Sequence, residues 1–120
     1  MAKVLIVEDE PDVAALMAQR LRAYYDVCFA GDGIAAITTA RRERPDVIVL
    51  DLGLPAGDGL TVIERLRNLH ETARTPVVVV TASPLASRKT QAFEAGVAAF
   101  VSKPFHAATL LSAVQNALGG

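Results

Sequence analysis

The chain has 120 residues, 52% of them hydrophobic, with 12 basic against 13 acidic side chains and one cysteine. This length and apolar content suit one domain, residues 1–120, large enough to bury a core without disulfide or metal staples. Balanced charge excludes a global pull toward nucleic acid or an anionic membrane. The N-terminal run is too short for a signal peptide, no segment is long enough to span a bilayer, and the lone Cys28 fits a reducing compartment, so a soluble cytoplasmic protein is expected.

Lys3 to Val7 (KVLIV) reads as a short apolar strand that ends in Glu8-Asp9-Glu10. Pro11 suits the first turn of a helix, where its missing N–H is not needed. Val13, Leu16, Met17, Leu21 and Tyr24 then recur at helical spacing, predicting an apolar stripe to about Ala23. Tyr25 to Ala30 returns to strand character, and Asp32 is placed to cap a second helix from Gly33 to Glu43 with Ala36, Ile37 and Ala40 inward; Pro45 closes it. Val47 to Leu50 (VIVL) is an unbroken, mostly β-branched run, the pattern of a strand covered on both faces. It ends abruptly at Asp51, and Leu52 to Gly59 has loop composition.

Leu60, Ile63 and Leu66 mark a third helix to about Leu69, and Pro76 opens a second buried run, Val77 to Val80, ending at Thr81. A fourth helix is expected from about Leu85 to Ala95, closed by Gly96, then a fifth strand from Val97 to Val101 and the tripeptide Ser102-Lys103-Pro104. Leu110, Leu111, Val114 and Leu118 define a last helix ending at Gly119-Gly120. Five strands alternating with five helices predict an α/β fold, a doubly wound parallel sheet. In the order 2-1-3-4-5 the first and third strands flank the switch point, where such sheets bind ligands. Glu8, Asp9 and Asp51, distant in sequence, then meet in one crevice.

Clustered carboxylates repel one another unless a cation neutralises them, and hard oxygen ligands with room for water suit Mg²⁺. The fourth strand brings the Thr81 hydroxyl to the same edge and the fifth delivers Lys103. An ammonium, a hydroxyl and a divalent cation around one carboxylate are what an incoming phosphoryl group needs, and the carboxylate itself can serve as nucleophile, giving an aspartyl phosphate.

Glu8-Asp9, Asp51 within DLGLPAGDG, Thr81-Ala82 and Lys103-Pro104-Phe105, at this spacing, resemble the receiver domains of two-component response regulators, and the resemblance covers the full chain. It implies a flavodoxin-like fold in which Asp51 accepts a phosphoryl group from the phosphohistidine of a sensor histidine kinase or phosphotransfer protein. It implies that Asp9, Asp51 and the Gly53 backbone carbonyl hold Mg²⁺, with Glu8 acting through water. Lys103 would bind the phosphate beside a cis Lys103-Pro104 bond, Thr81 would switch with it, and Phe100 falls where the family places its switch aromatic. The output face would be formed by the fourth helix, fifth strand and fifth helix. Ala98-Ala99 stand on that face where many relatives carry acids, leaving it less charged and suited to self-association or partner docking. His70 and His106 read as surface residues, and no direct nucleic-acid or membrane binding is expected.

Two other functions compete with this reading. A small Mg²⁺-dependent phosphohydrolase generally resembles an Asp-x-Asp arrangement, but the second position here is Gly53, and the chain has no room for a cap insertion. A receiver-like module that has lost phosphorylation and only binds a partner is disfavoured by the intact Glu8, Asp9, Asp51, Thr81 and Lys103. The leading reading is a phosphorylation-controlled switch that assists its own phosphorylation and dephosphorylation but is not an enzyme acting on a separate substrate. The 120 residues suit either a stand-alone receiver or part of a longer regulator.

Overall fold

Apolar residues on alternate sides of the strands decide how the layers form. In the computed structural model, which describes residues 1–54, 58–82 and 86–119 (residues 86 and 87 for their backbone only), five parallel strands form one sheet in the order β2-β1-β3-β4-β5. The strands are β1 (Lys3–Val7), β2 (Asp26–Ala30), β3 (Val47–Leu50), β4 (Val77–Thr81) and β5 (Ala99–Ser102). The helices are α1 (Pro11–Leu21), α2 (Gly33–Glu43), α3 (Gly59–Asn68), α4 (Ala86–Glu94) and α5 (Ala107–Gly119). Successive strand residues point to opposite faces, so Val4, Ile6, Val47, Val49, Val78 and Val80 pack with α1 and α5. Leu5, Val7, Ile48, Leu50, Val77 and Val79 pack with α2, α3 and Ala92 of α4. Every residue of β3 and β4 is buried, which is why these strands read as continuous apolar runs. Each such Val, Leu or Ile contributes roughly 1.5–3 kcal/mol through burial, and truncating Leu50 to Ala would cost about 2–5 kcal/mol.

The fold is the expected one, and the departures are local. Met17 and Leu21 of α1 face the sheet, but their partners in the buried stripe are Ala14 and Ala18, whereas Leu16 is 62% exposed and Tyr24 is 54% exposed. Small side chains let the helix approach the sheet closely, and hydropathy alone favoured the larger neighbours. Helix α1 ends at Leu21, with Tyr24 in the following turn and Tyr25 just ahead of β2. Helix α2 keeps its predicted bounds and its cap, Asp32 accepting from the Ala35 N–H at 2.7 Å. It stops because Arg44 turns left-handed (φ 48°), one residue before Pro45. Val97 lies in the turn that follows α4, its N–H donating back to the Ala92 carbonyl, and β5 begins at Ala99. Gly96 does close α4, at φ 90°. The expected start of that helix at Leu85 lies outside the described residues.

Register places the chemistry. Val7 pairs with Leu50, and the Asp51 N–H donates to the Val7 carbonyl at 3.1 Å, so Glu8 and Asp51 leave adjacent strands side by side. Thr81 pairs with Ser102, and the Lys103 N–H donates to the Thr81 carbonyl at 2.9 Å. Among the described residues, no helix is long and apolar enough to cross a membrane.

Candidate functional site

The carboxyl edge of the sheet gathers the predicted acids. Glu8, Asp9 and Asp51 each offer a carboxylate oxygen, and these oxygens lie within 4.8 Å of one another. Glu8 and Asp51 are buried, whereas Asp9 is exposed at the mouth of the cluster. Lys103 reaches in from the end of β5. Its ammonium donates to Glu8 Oε1 at 2.5 Å and to Asp51 Oδ2 at 3.1 Å. The other Asp51 oxygen, Oδ1, accepts the Gly53 N–H at 2.9 Å. The carboxylate is thus oriented from two directions, by a cation and by the backbone of its own loop. The Lys103-Pro104 peptide bond is cis.

Burial and charge oppose each other here. Burial raises the Glu8 pKa above its usual range, against the hydrogen bonds from Lys103 and the Glu10 N–H, while the Asp51 charge adds to the rise. For Lys103, burial favours the neutral amine, but hydrogen bonds and attraction from Glu8 and Asp51 outweigh it and the pKa is raised. Three carboxylates against one ammonium leave two negative charges uncompensated. A hard, all-oxygen donor set with that excess charge and one exposed side fits Mg²⁺. Glu8, Asp9 and Asp51 are the side chains that would hold it.

Thr81, 2% exposed, stands at the end of β4. Phe100 lies outside the acidic cluster, half-buried on β5 against the core under α2–α4. The Lys89 ammonium sits 6.0 Å from the centroid of its ring. His70 and His106 are exposed, as expected. Sequence reasoning missed Asp58 and Arg88. Asp58 caps α3, its Oδ1 accepting the Leu60 N–H at 3.4 Å and the Arg88 guanidinium at 2.7 Å. An Asp immediately before a helix start is a legible cap signal, but nothing in the sequence pairs it with Arg88. Gly59, read from the sequence as the end of the loop, is the first residue of α3. A Cβ there would lie 2.5 Å from the Leu52 Cα, because the start of α3 crosses directly over the residue after Asp51.

Residues 4–115 match the family model for the response regulator receiver domain. The chain is 40% identical over 119 residues to the DNA-binding dual master transcriptional regulator RpaA of Synechocystis, a match covering 98% of this chain and 49% of that protein. It therefore spans about half the length of that curated relative. Among solved structures, the chemotaxis response regulator CheY4 of Vibrio cholerae superposes with a TM-score of 0.91 at 31% identity, covering 98% of this chain and 99% of that one. The receiver domain of a sensor histidine kinase from Pseudomonas aeruginosa, with a magnesium ion coordinated in its active-site cleft, gives a TM-score of 0.90 at 32% identity, covering 99% and 98% of the two chains. With the sheet order, the acidic cluster and the family match in agreement, this chain belongs to the response regulator receiver domains, the phosphoacceptor signalling modules of two-component systems.

Proposed function

We propose that residues 1–120 form one receiver unit in which Asp51 accepts a phosphoryl group from the phosphohistidine of a sensor histidine kinase or phosphotransfer protein in the cytoplasm. The observation that carries this reading is the placement of Asp51: a carboxylate at the end of the central strand, its two oxygens held by Lys103 and by the Gly53 N–H, beside Glu8 and Asp9. In the transfer, an Asp51 oxygen forms the new P–O bond as the P–N bond of the donor breaks. The donor imidazole leaves neutral, its other ring nitrogen carrying the proton. Asp9, Asp51 and the Gly53 carbonyl would hold Mg²⁺, with Glu8 acting through water, and the bound ion would supply positive charge to offset that on the transferring oxygens. Lys103 offsets a further oxygen and holds the carboxylate in line, and the Thr81 hydroxyl donates to a third.

The switch follows from the same contacts. A charge-assisted hydrogen bond to phosphate outweighs a neutral one, so phosphorylation draws the Thr81 hydroxyl toward Asp51. Phe100 sits two residues before the β5 partner of Thr81. Space vacated beside β4 admits its ring inward and reshapes the α4-β5-α5 face, through which the unit controls an output partner or domain or self-associates. The module binds neither nucleic acid nor membrane directly, and it assists loss of its own phosphoryl group because Gly53, with no side chain, leaves water a path to the phosphoryl group on Asp51. Incubation with acetyl phosphate and Mg²⁺ should add one phosphoryl group by intact mass, and Asp51→Asn should abolish the addition. Persistent modification of that variant would refute the assignment.

A further inference from the structure

Helix α4 is lightly seated. Among its described side chains, Ala92 alone is buried, and Phe93 is 46% exposed. Guanidinium groups tie both ends of the helix to α3. At the far end, Arg67 of α3 donates to the Gly96 carbonyl at 3.3 Å and to the Thr75 carbonyl at 2.8 Å. At the near end, Arg88 of α4 donates to Asp58 Oδ1 at 2.7 Å. Asp58 closes the loop that Asp51 opens, and the Gly59 N–H next to it donates to the Leu52 carbonyl at 3.2 Å. A continuous covalent and hydrogen-bonded path therefore runs from Asp51 through Leu52, Gly59 and Asp58 to Arg88.

We propose that Asp58 and Arg88 are positioning residues whose ion pair latches α4 to the loop after Asp51, so that a change at Asp51 releases the helix. The source of that change rests on the phosphoacceptor reading; the hold on α4 does not. Asp58 is well suited to the role because one oxygen serves both the α3 cap and Arg88. A displacement that re-aims the Asp58 carboxylate acts on both bonds at once, because the cap and the ion pair share Oδ1. Among the described residues of α4, Ala92 alone is buried, and no other side-chain hydrogen bond at this end is described beside the one to Asp58.

The test is amide hydrogen exchange by NMR on the 120-residue chain. Asp58→Asn keeps a capping side chain while removing the charge, and Arg88→Gln removes the other partner. Each should speed exchange at the α4 amides of Ala92 to Glu94 by about two- to five-fold, the range for a partly exposed ion pair. The double variant should add nothing further, Arg88→Lys should restore most of the protection, and α3 amides should be unchanged. Beryllofluoride with Mg²⁺, a phosphate mimic, should speed α4 exchange in the parent protein and add little in Asp58→Asn. Unchanged α4 exchange in the single variants, additive effects in the double variant, or an undiminished beryllofluoride response in Asp58→Asn would each overturn the latch. If beryllofluoride shifts no resonance near Asp51 in any form, the phosphoacceptor reading fails instead, and the variants alone still decide the latch.

Discussion

Replacing Gly59 by Ala adds a single methyl group where the start of α3 crosses the residue after Asp51. The new Cβ would stand 2.5 Å from the Leu52 Cα, 2.9 Å from Leu52 Cδ2 and 3.1 Å from the Asp51 carbonyl oxygen. Two of these neighbours are backbone atoms, so no rotamer change relieves the contact; the helix and the loop must separate. Overpacking of this kind costs about 1–3 kcal/mol, and the better helix propensity of Ala returns at most about 1 kcal/mol. With two backbone contacts, a mid-range cost of about 2 kcal/mol less that return leaves about 1–2 kcal/mol, which for a urea m-value of about 2 kcal/mol/M lowers the unfolding midpoint by about 0.5–1 M. Gly31→Ala is the control, because a Cβ at Gly31 meets nothing within 4 Å. Its midpoint should match the parent or rise slightly. Because the loop that moves begins at Asp51, Gly59→Ala should also slow phosphorylation by acetyl phosphate. Equal midpoints for the two variants would refute the close-approach argument.

Asp9→Ala should weaken Mg²⁺ binding and phosphotransfer, whereas Asp12→Ala, which lies outside the acidic cluster, should leave both nearly unchanged in a titration followed by NMR. Protons compete with metal for carboxylates, and burial lifts the Glu8 pKa above 4.5. Mg²⁺ affinity should therefore begin to fall at a higher pH than an ordinary Glu would give. In metal-free protein the stability sign is the reverse. Folded Glu8 holds its proton more tightly than unfolded Glu8, so its contribution is present below the ordinary Glu value and lost as pH rises through the folded value. Urea midpoints across that window read the trend, which Glu8→Gln should flatten. A side chain at position 53 would start 3.6 Å from Asp51 Oδ1, so Gly53→Arg should screen the phosphoryl group from water and lengthen its lifetime in a decay assay.

Much of this arrangement was legible because its signals are local. Val47–Leu50 and Val77–Val80 are buried on both faces, and an unbroken β-branched run says so directly. Parallel order then brings every strand's last residue to one edge, so Glu8, Asp51 and Lys103 could be placed together before any distance was known. The α1 stripe was misread at Leu16 and Tyr24 because closeness of packing, met by Ala14 and Ala18, outweighed side-chain size. The start of β5 shifted because Val97 hydrogen-bonds back to Ala92 in the turn that follows α4. Asp58 and Arg88 pair across 30 positions, and Gly59 meets Leu52 through the backbone alone. Contacts of that kind depend on how two elements dock, which composition and periodicity do not encode.

Asp51 is the carboxylate on which the phosphoryl group should reside. Borohydride reduces an acyl phosphate to the alcohol, so treating protein phosphorylated with acetyl phosphate and Mg²⁺ should convert the modified aspartate to homoserine. Peptide mapping by mass spectrometry should then find homoserine in the peptide carrying Asp51, in phosphorylated samples only, and not in the peptide carrying Glu8 and Asp9. A reduced carboxylate at Asp9 or Glu8, or a phosphorylated protein that yields no reduction product at Asp51, would remove Asp51 as the phosphoacceptor.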